Sequence, residues 1–357
     1  MKILATGIDT LEVGYEISGF KDEELIWALS DGKKTANDDK KEITHFINGK
    51  EMSLSYITPK RYDYYLTDGT IQLTISTRLK EEHNYPEIHV KYLSSYLWTT
   101  GPEKAYKETD KWIKSWAYIT AEKISRADLS IDTECPLPNT KFKQLITRLR
   151  TKNDYVMMNH AKGNRESGFT LGMSDIQVRQ YGKDDEALEK GKKYFYDIWE
   201  KGGRENENKV TRTEFQCNRD FLRSKNINTV PELLESLDSL WKHLTIKRVR
   251  ICEPTHDTNR ARWKNTPLWH DISNYCFGYQ RPLEQGPETK YNRDILIKMM
   301  RGCMINLQAH GEPLDTTIEA IYTSEDYKED LLNKKSKYAG VTPHVSLAHT
   351  SQGEITP

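Results

Sequence analysis

Residues 124–134, ISRADLSIDTE, decide the fold class. Side chains along a strand alternate between two faces. Ala127, Leu129 and Ile131 therefore share one face, while Arg126, Asp128, Ser130 and Asp132 share the other. The apolar set requires a layer packed against it, and Pro136 and Pro138 end the run. The polar face carries two carboxylates two pleats apart, which repel each other unless a cation or basic side chains lie between them. Taken alone, a half-buried strand with one solvated face accounts for this pattern better than a catalytic site does.

Working outward, strands are predicted at 1–20, 51–58, 61–67, 70–77 and 86–93, with Asp68-Gly69 as a hairpin turn. The charged stretch 31–42, DGKKTANDDKKE, reads as an exposed loop. A helix is predicted from Pro102 to about Lys123, on the spacing of Tyr106, Trp112, Ile113, Trp116 and Ile119. Beyond the central strand, the pattern predicts a helix at 140–152 and strands at 154–160, 167–172 and 175–182. A charged helix follows at 184–201 and a strand at 209–217. Helices are then predicted at 219–225, 230–243, 267–278, 288–310 and 315–335. The fold class is α+β: an antiparallel sheet with packed helices and a helical C-terminal part. Four regions are expected: a strand-rich part at 1–100, a core bearing the chemistry at 101–220, a helical part at 221–335, and a disordered tail at 336–357.

Composition bounds the function. Lys plus Arg equals Asp plus Glu at 53 each, so the formal charge is zero, and nucleic-acid binding by bulk charge is disfavoured. A local basic groove stays open, because the field depends on distribution and not on the sum. Five cysteines, at 135, 217, 252, 276 and 303, show no CxxC spacing and read as reduced thiols of a cytoplasmic protein. Asp9, Glu12 and Glu16 interrupt any signal-peptide core, and no run approaches the roughly 20 apolar residues of a membrane span. No HExxH, GxxxxGK[ST] or GxSxG motif occurs, so zinc-protease, P-loop and α/β-hydrolase readings lack support.

Two further segments join the central strand. In 175–183, DIQVRQYGK, Ile176 and Val178 share a face, and Arg179, Tyr181 and Lys183 share the other. A tyrosine flanked by two cations sits in a setting that favours its phenolate and a bound phosphate; a surface strand whose tyrosine packs on arginine is the simpler account of the segment by itself. In 211–216, TRTEFQ, Arg212, Glu214 and Gln216 share a face, and Glu214 is a candidate third oxygen ligand for a hard divalent ion. Basic runs at Lys247, Arg248 and Arg250, and at Arg260 and Arg262, are candidates for phosphate contact or a solvated face. Trp98, Trp112 and Trp116 could stack bases, though their helical spacing fits core packing better.

RADLSIDTE, then GFTLGMSDIQVRQYGKDDE, then TRTEFQ, taken in that order, resemble the replication initiation factor family: the Rep-trans type rolling-circle plasmid initiators and related relaxases of integrative elements. The likeness lies in Arg126, Asp128 and Asp132; in Gly168, Thr170 and Gly172; in Arg179, Tyr181, Lys183 and Glu186; and in Arg212 and Glu214. GIDTLEVGY at 7–15 and ELLESLDSLWKHLTIKRVR at 232–250 extend it over residues 7 to about 270. Met173 departs from the family, separating Gly172 from Ser174. The resemblance implies a fold related to the HUH nucleases, with carboxylates in place of histidines as metal ligands. It implies that Tyr181 nicks single-stranded or hairpin origin DNA through a 5′-phosphotyrosine and later religates it. Arg179 and Lys183 would assist, and Asp128, Asp132 and Glu214 would hold Mg²⁺ or Mn²⁺. Arg126, Arg212, Lys247, Arg248, Arg250, Arg260 and Arg262 are the expected DNA contacts. Host helicase and polymerase are candidate partners, a homodimer is allowed, and no membrane is expected. A relaxase of a conjugative element would use the same chemistry. A regulator that keeps the fold and binds DNA without cutting is the alternative of another class.

Overall fold

The computed structural model describes residues 2–78, 85–149, 157–162, 165–173, 175–205, 208–278, 281–284, 293–325, 327–328 and 331. The chain divides into two compact units, Met1–Glu288 and Thr289–Pro357. Within the second, the described residues form helices Arg293–Ala309 and Leu314–Thr323. The expected tail lies outside the described residues.

The first unit is built on one antiparallel sheet. Its strands are β1 (Lys2–Phe20), β2 (Ile43–Ile47), β3 (Lys50–Leu54), β4 (Tyr64–Thr67), β5 (Ile71–Ile75) and β6 (Ile88–Tyr92). They continue with β7 (Ala117–Glu134) and, after the separate short strand β8 (Leu145–Thr147), with β9 (Met157–Lys162), β10 (Arg165–Leu171), β11 (Ile176–Gly182) and β12 (Val210–Asn218). The order across the sheet is β2-β3-β4-β5-β6-β1-β7-β12-β11-β10-β9. A second small sheet pairs β8 with β13 (Val249–Ile251). The expected regions 1–100 and 101–220 thus share one sheet, joined where β1 pairs with β7. The fold class is α+β.

β1 and β7 form the spine. They pair from Lys2↔Glu134 to Phe20↔Ala117, with several register irregularities. One falls between Ile8↔Leu129 and Thr10↔Asp128, which leaves Asp9 as the extra residue. A bulge of this kind re-aims a side chain. The apolar face runs through Leu54, Leu66, Leu73, Val90, Val13, Leu129, Ile131, Phe215 and Val178, all buried in one core. Helix Pro102–Trp116 covers it with Ile113 and Trp116, and the helical segment after β12 covers it with Trp241 and Trp269. Phe215 meets both of these rings edge-on, with centroids 5.4 and 6.3 Å apart.

Three expectations are corrected. Residues 31–42 are no loop: helix Glu23–Asp39 runs through most of them, started by Asp22 accepting from the Glu24 amide, and it buries Leu29 and Ala36. The charged residues that suggested a loop are its solvent face. The helix from Pro102 stops at Trp116, because residues from Ala117 onward pair with β1. Where a helix was expected at 140–152, a short 3₁₀ turn at Phe142–Gln144 leads into β8; positions 150–152 lie outside the described residues. The aliphatic run Leu145-Ile146-Thr147 gains a β partner in β13, which periodicity alone does not reveal.

Gly168 shows how tightly β10 lies against β11. Its φ is +146°, and a Cβ there would sit 2.3 Å from the Gln180 carbonyl oxygen and 2.7 Å from the Tyr181 Cβ. Gly168→Ala is expected to cost about 2 kcal/mol through this clash, read as a lower urea midpoint at unchanged slope. A midpoint equal to that of the wild type would show that the strands have room to spare.

Candidate active site

The face of the sheet opposite the main core carries most of the candidate site residues. Adjacent strands set its side chains in rows. Asp132, Arg212, Tyr181 and Gly168 form one row, and Ser130, Glu214, Arg179 and Thr170 form the next. Asp128, Gln216 and Gln177 form the third. The three sequence segments, from β7, β11 and β12, are thereby neighbours.

Two clusters divide this face. The first is a closed ion network centred on Arg212, whose side chain is 0% exposed. Its Nε donates to Asp132 Oδ1 at 2.5 Å and its Nη2 to Asp132 Oδ2 at 2.8 Å. Its Nη1 donates to Asp9, which also accepts from Trp98 Nε1 at 2.8 Å and Ser94 Oγ at 2.9 Å. Trp199 Nε1 donates to Asp132 at 2.8 Å. The guanidinium lies 5.1 Å from the Trp98 ring and 4.6 Å from the Phe195 ring, which pack edge-on against each other. Helices Ser94–Thr100, Lys183–Glu189 and Tyr194–Lys201 bring these rings and Lys183 over the face. Burial opposes charge at Asp9, yet Arg212 and then Lys183 outweigh it and hold the carboxyl well below its ordinary range.

The second cluster surrounds Tyr181. Its hydroxyl donates to Glu214 Oε2 at 3.1 Å, and Lys183 Nζ lies 3.5 Å from the Tyr181 hydroxyl oxygen. Lys183 is buried and bonds Glu186 at 2.6 Å. Burial lowers the Lys183 pKa, and Arg212 adds to the effect. Burial opposes ionisation of Glu186, but Lys183 and Lys192 draw it down to about 2. Arg179 reaches Glu214 Oε1 at 3.3 Å, Gln216 at 2.8 Å and Gln177 at 3.1 Å. Arg126 grips Asp128 with two hydrogen bonds, of 2.8 and 2.5 Å. Burial raises Glu214 to about 7, with Asp9 and Asp128 adding repulsion. Burial likewise raises Asp128 against the pull of Arg126.

Several expectations change. Tyr181 does not sit in a field that favours its phenolate: burial, then Glu214, pushes its pKa well above the ordinary value. Asp132 does not join Asp128, because both its oxygens are taken by a buried arginine. Arg212, with no exposed surface, is no DNA contact. Arg250 bonds Asn265 and the carbonyls of Ala261 and Trp263, and Arg260 bonds the carbonyls of Lys143 and Leu145. Both brace loops around the small sheet, where a duplex or strand would have to displace them. Arg248 bonds His243; Lys247 and Arg262 are exposed. These basic runs belong to the layer packed on the opposite, apolar face. Among the other tyrosines, Tyr194 shares a hydrogen bond with Ser94 at 2.9 Å, and Tyr196 packs on Trp199. Tyr155 and Ser174 lie outside the described residues. Asp9 was not foreseen as part of the site. It stands inside GIDTLEVGY, but the bulge that aims it is invisible in the alternation of side chains.

Among the described residues, no group of three His, Cys, Asp or Glu side chains is placed to hold a metal ion. Hard ions such as Mg²⁺ need only one or two carboxylates and complete their shell with water and substrate phosphate. Asp128 and Glu214 fit that demand. They lie on adjacent strands one row apart, and Asp128 is among the charges that raise Glu214. Their arginines, Arg126 and Arg179, are the partly exposed ones, at 25% and 34%.

No family model matches the chain, and no curated relative matches it. Among solved structures, it is similar to a rolling circle replication initiator protein from Geobacillus stearothermophilus, at 15% identity and a TM-score of 0.44. The match covers 79% of this chain and 99% of that one.

Two outcomes follow from the charges. Asp132→Ala should cost about 3 kcal/mol even in chelator, because it leaves Arg212 buried with half its partners. A ligand with no structural duty would leave metal-free stability unchanged. For Glu214, the folded pKa of about 7 lies above the ordinary 4.5. The folded state therefore keeps a proton that the unfolded chain releases, and the associated stability is lost as pH rises from about 4.5 through 7. Urea melts in chelator should show wild type losing on the order of 3 kcal/mol relative to Glu214→Gln between pH 4 and 8. Parallel curves for the two proteins would contradict the assignment.

Proposed function

We propose that this chain initiates rolling-circle DNA replication as a metal-dependent nickase, with Tyr181 as its nucleophile. The observation that carries the reading is the placement of the Tyr181 hydroxyl. It is aimed by Glu214, lies within 3.5 Å of Lys183, and shares its sheet face with Arg179, Asp128 and Arg126. The order of the motifs and their resemblance to the replication initiation factor family support the same reading. One antiparallel sheet bearing a tyrosine and carboxylates on a single face supports the relation to HUH nucleases.

Tyr181 Oη attacks a phosphodiester, forming an O–P bond as the P–O3′ bond breaks; the tyrosine proton, taken by Glu214, is returned through solvent to the departing 3′ oxygen, which leaves as a hydroxyl. The proton passes along the hydrogen bond to Glu214 Oε2 as the tyrosine oxygen becomes nucleophilic. Lys183 offsets the charge that appears on Oη, and Glu186 holds Lys183 charged for that task. Arg126 and Arg179 exchange their carboxylates for phosphate oxygens when the strand arrives. Asp128 and Glu214 would hold a divalent ion, which when bound supplies Lewis-acid polarisation of the phosphate. The phosphotyrosine conserves the bond energy, so religation by the 3′-hydroxyl needs no nucleotide cofactor.

The test uses single-stranded oligonucleotides from the replicon's own origin, with Mn²⁺. Tyr181→Phe should retain the fold and DNA binding but form no denaturation-resistant adduct, a loss of at least about a thousandfold in nicking. An adduct that persists in this variant would move the nucleophile elsewhere. Asp128→Asn should also lose the rise in melting temperature that Mn²⁺ gives the wild type.

A further inference from the structure

Taking Tyr181 as the nicking residue, its sheet face is closed on one side and open on the other. Helices Ser94–Thr100, Lys183–Glu189 and Tyr194–Lys201 roof the row of Asp132 and Arg212, where Phe195 and Trp199 are fully buried. A nucleic acid strand has no way past them. In the opposite direction along β7, solvent reaches Gln177, Arg179, Arg126, Asn218 and finally Lys123. These side chains lie on the Tyr181 face, since Ile124, Ala127 and Leu129 of the same strand fill the apolar core. The rows past Asp128 place Arg126 beside Asn218 and Glu12, and Lys123 beside Gly14.

This open run ends in a cleft of about 180 Å³ lined by Gly14, Glu16, Tyr85, Lys123, Ser125 and Arg219. Three of its residues are suited to a nucleotide. Lys123 is exposed, and its pairing with Glu16 is a surface ion pair, easily exchanged for phosphate. Arg219 hydrogen-bonds the Ile227 carbonyl at 3.3 Å and the Asn228 amide oxygen at 2.7 Å, both neutral groups, with Asp220 and Glu232 as the acids near it. Tyr85 offers a half-exposed ring, 5.6 Å from that of Tyr62. Cations that track a backbone, with rings for bases, are the general chemistry of single-strand grooves.

We propose that the open polar face from Arg179 through Arg126 to the Lys123–Arg219–Tyr85 cleft is a single-stranded DNA track leading to Tyr181. It places an anchoring subsite about 28 Å along the sheet from the row of the nicking residue, taken as the eight or nine residues of β7 from Asp132 to Lys123 at about 3.3 Å each. Lys123, Arg126 and Arg179 each lie beside a carboxylate, Glu16, Glu12 with Asp128, and Glu214, so an arriving phosphate would take these cations in exchange for their present partners.

The experiment measures anisotropy with labelled oligothymidylates of about 3 and about 12 nucleotides, which at roughly 6 Å of extended backbone each cannot and can span the track. Wild type should bind the longer probe at least about tenfold more tightly. Lys123→Glu, an exposed change that spares the fold, should remove most of that advantage and reduce the log–log salt slope by about 0.7. The short probe should bind as before. Tyr85→Leu should weaken the long probe alone, by about tenfold. Lys104→Glu, on the helix packed against the other face, serves as the control and should change nothing. Equal affinity of wild type for both lengths would overturn the track, as would a Lys123→Glu protein that binds both probes normally. Neither result touches the adduct assay on origin DNA, so failure of the track and failure of the nicking assignment are read separately.

Discussion

A single buried guanidinium organises the half of the sheet that bears the candidate site. Arg212 projects from β12 and binds Asp132 of β7 through two nitrogens and Asp9 of β1 through the third. Three strands are thereby pinned in register by one side chain with no exposed surface. Breaking such a network is costly because each partner left behind is a buried charge. The arrangement also fixes the row beside it. Tyr181 pairs with Arg212 and Glu214 follows one step on, so the hydroxyl and its acceptor inherit their placement from the ion network. Conserving Arg212 while losing Asp132 would leave a cation pressing on Tyr181 and Lys183.

The four carboxylates divide by the arginines that hold them, since all four are themselves buried. Asp9 and Asp132 face a roofed chamber of aromatic rings and serve architecture. Asp128 and Glu214 face the open run and are held by arginines that solvent can reach. Four acids of the same chemical type thus take on different duties, according to which half of one sheet face they occupy. The raised pKa of Glu214 and the depressed one of Asp9 are two readings of that boundary.

Much of this was legible in the residues. Alternation in RADLSID identified which side chains share a face, and DIQVRQYGK and TRTEFQ supplied the partners in β11 and β12. What strand periodicity could not tell is which row meets which. Asp132 looked equivalent to Asp128 because both lie on the same face at even spacing; only the pairing Arg212↔Asp132 separates a structural acid from an available one. Arg212 itself read as a phosphate contact, since burial of an arginine depends on helices that return from 94–100 and 194–201. The polarity around Tyr181 was misread for a related reason. Its cationic neighbours on the strand were counted, whereas burial, and after it Glu214 on the adjacent strand, dominates. The helix at Glu23–Asp39 went unrecognised because its buried side is narrow, with only Leu29 and Ala36 fully covered.

The strand order carries a consequence for biosynthesis. β1, made before the other strands of this sheet, lies at its centre, between β6 and β7. β6 arrives early, so β1 to β6 can assemble as a half-sheet while the ribosome continues. The partner for the other edge of β1 is complete only at Glu134, and β12 closes the ion network only after Asn218. At about 5–20 residues per second, a 19-residue strand therefore waits on the order of ten seconds with one edge unpaired. Such an edge is a template for pairing with another chain. Asp9, Glu12 and Glu16 along β1 then act before the site exists, as charges that discourage nascent copies from stacking edge to edge.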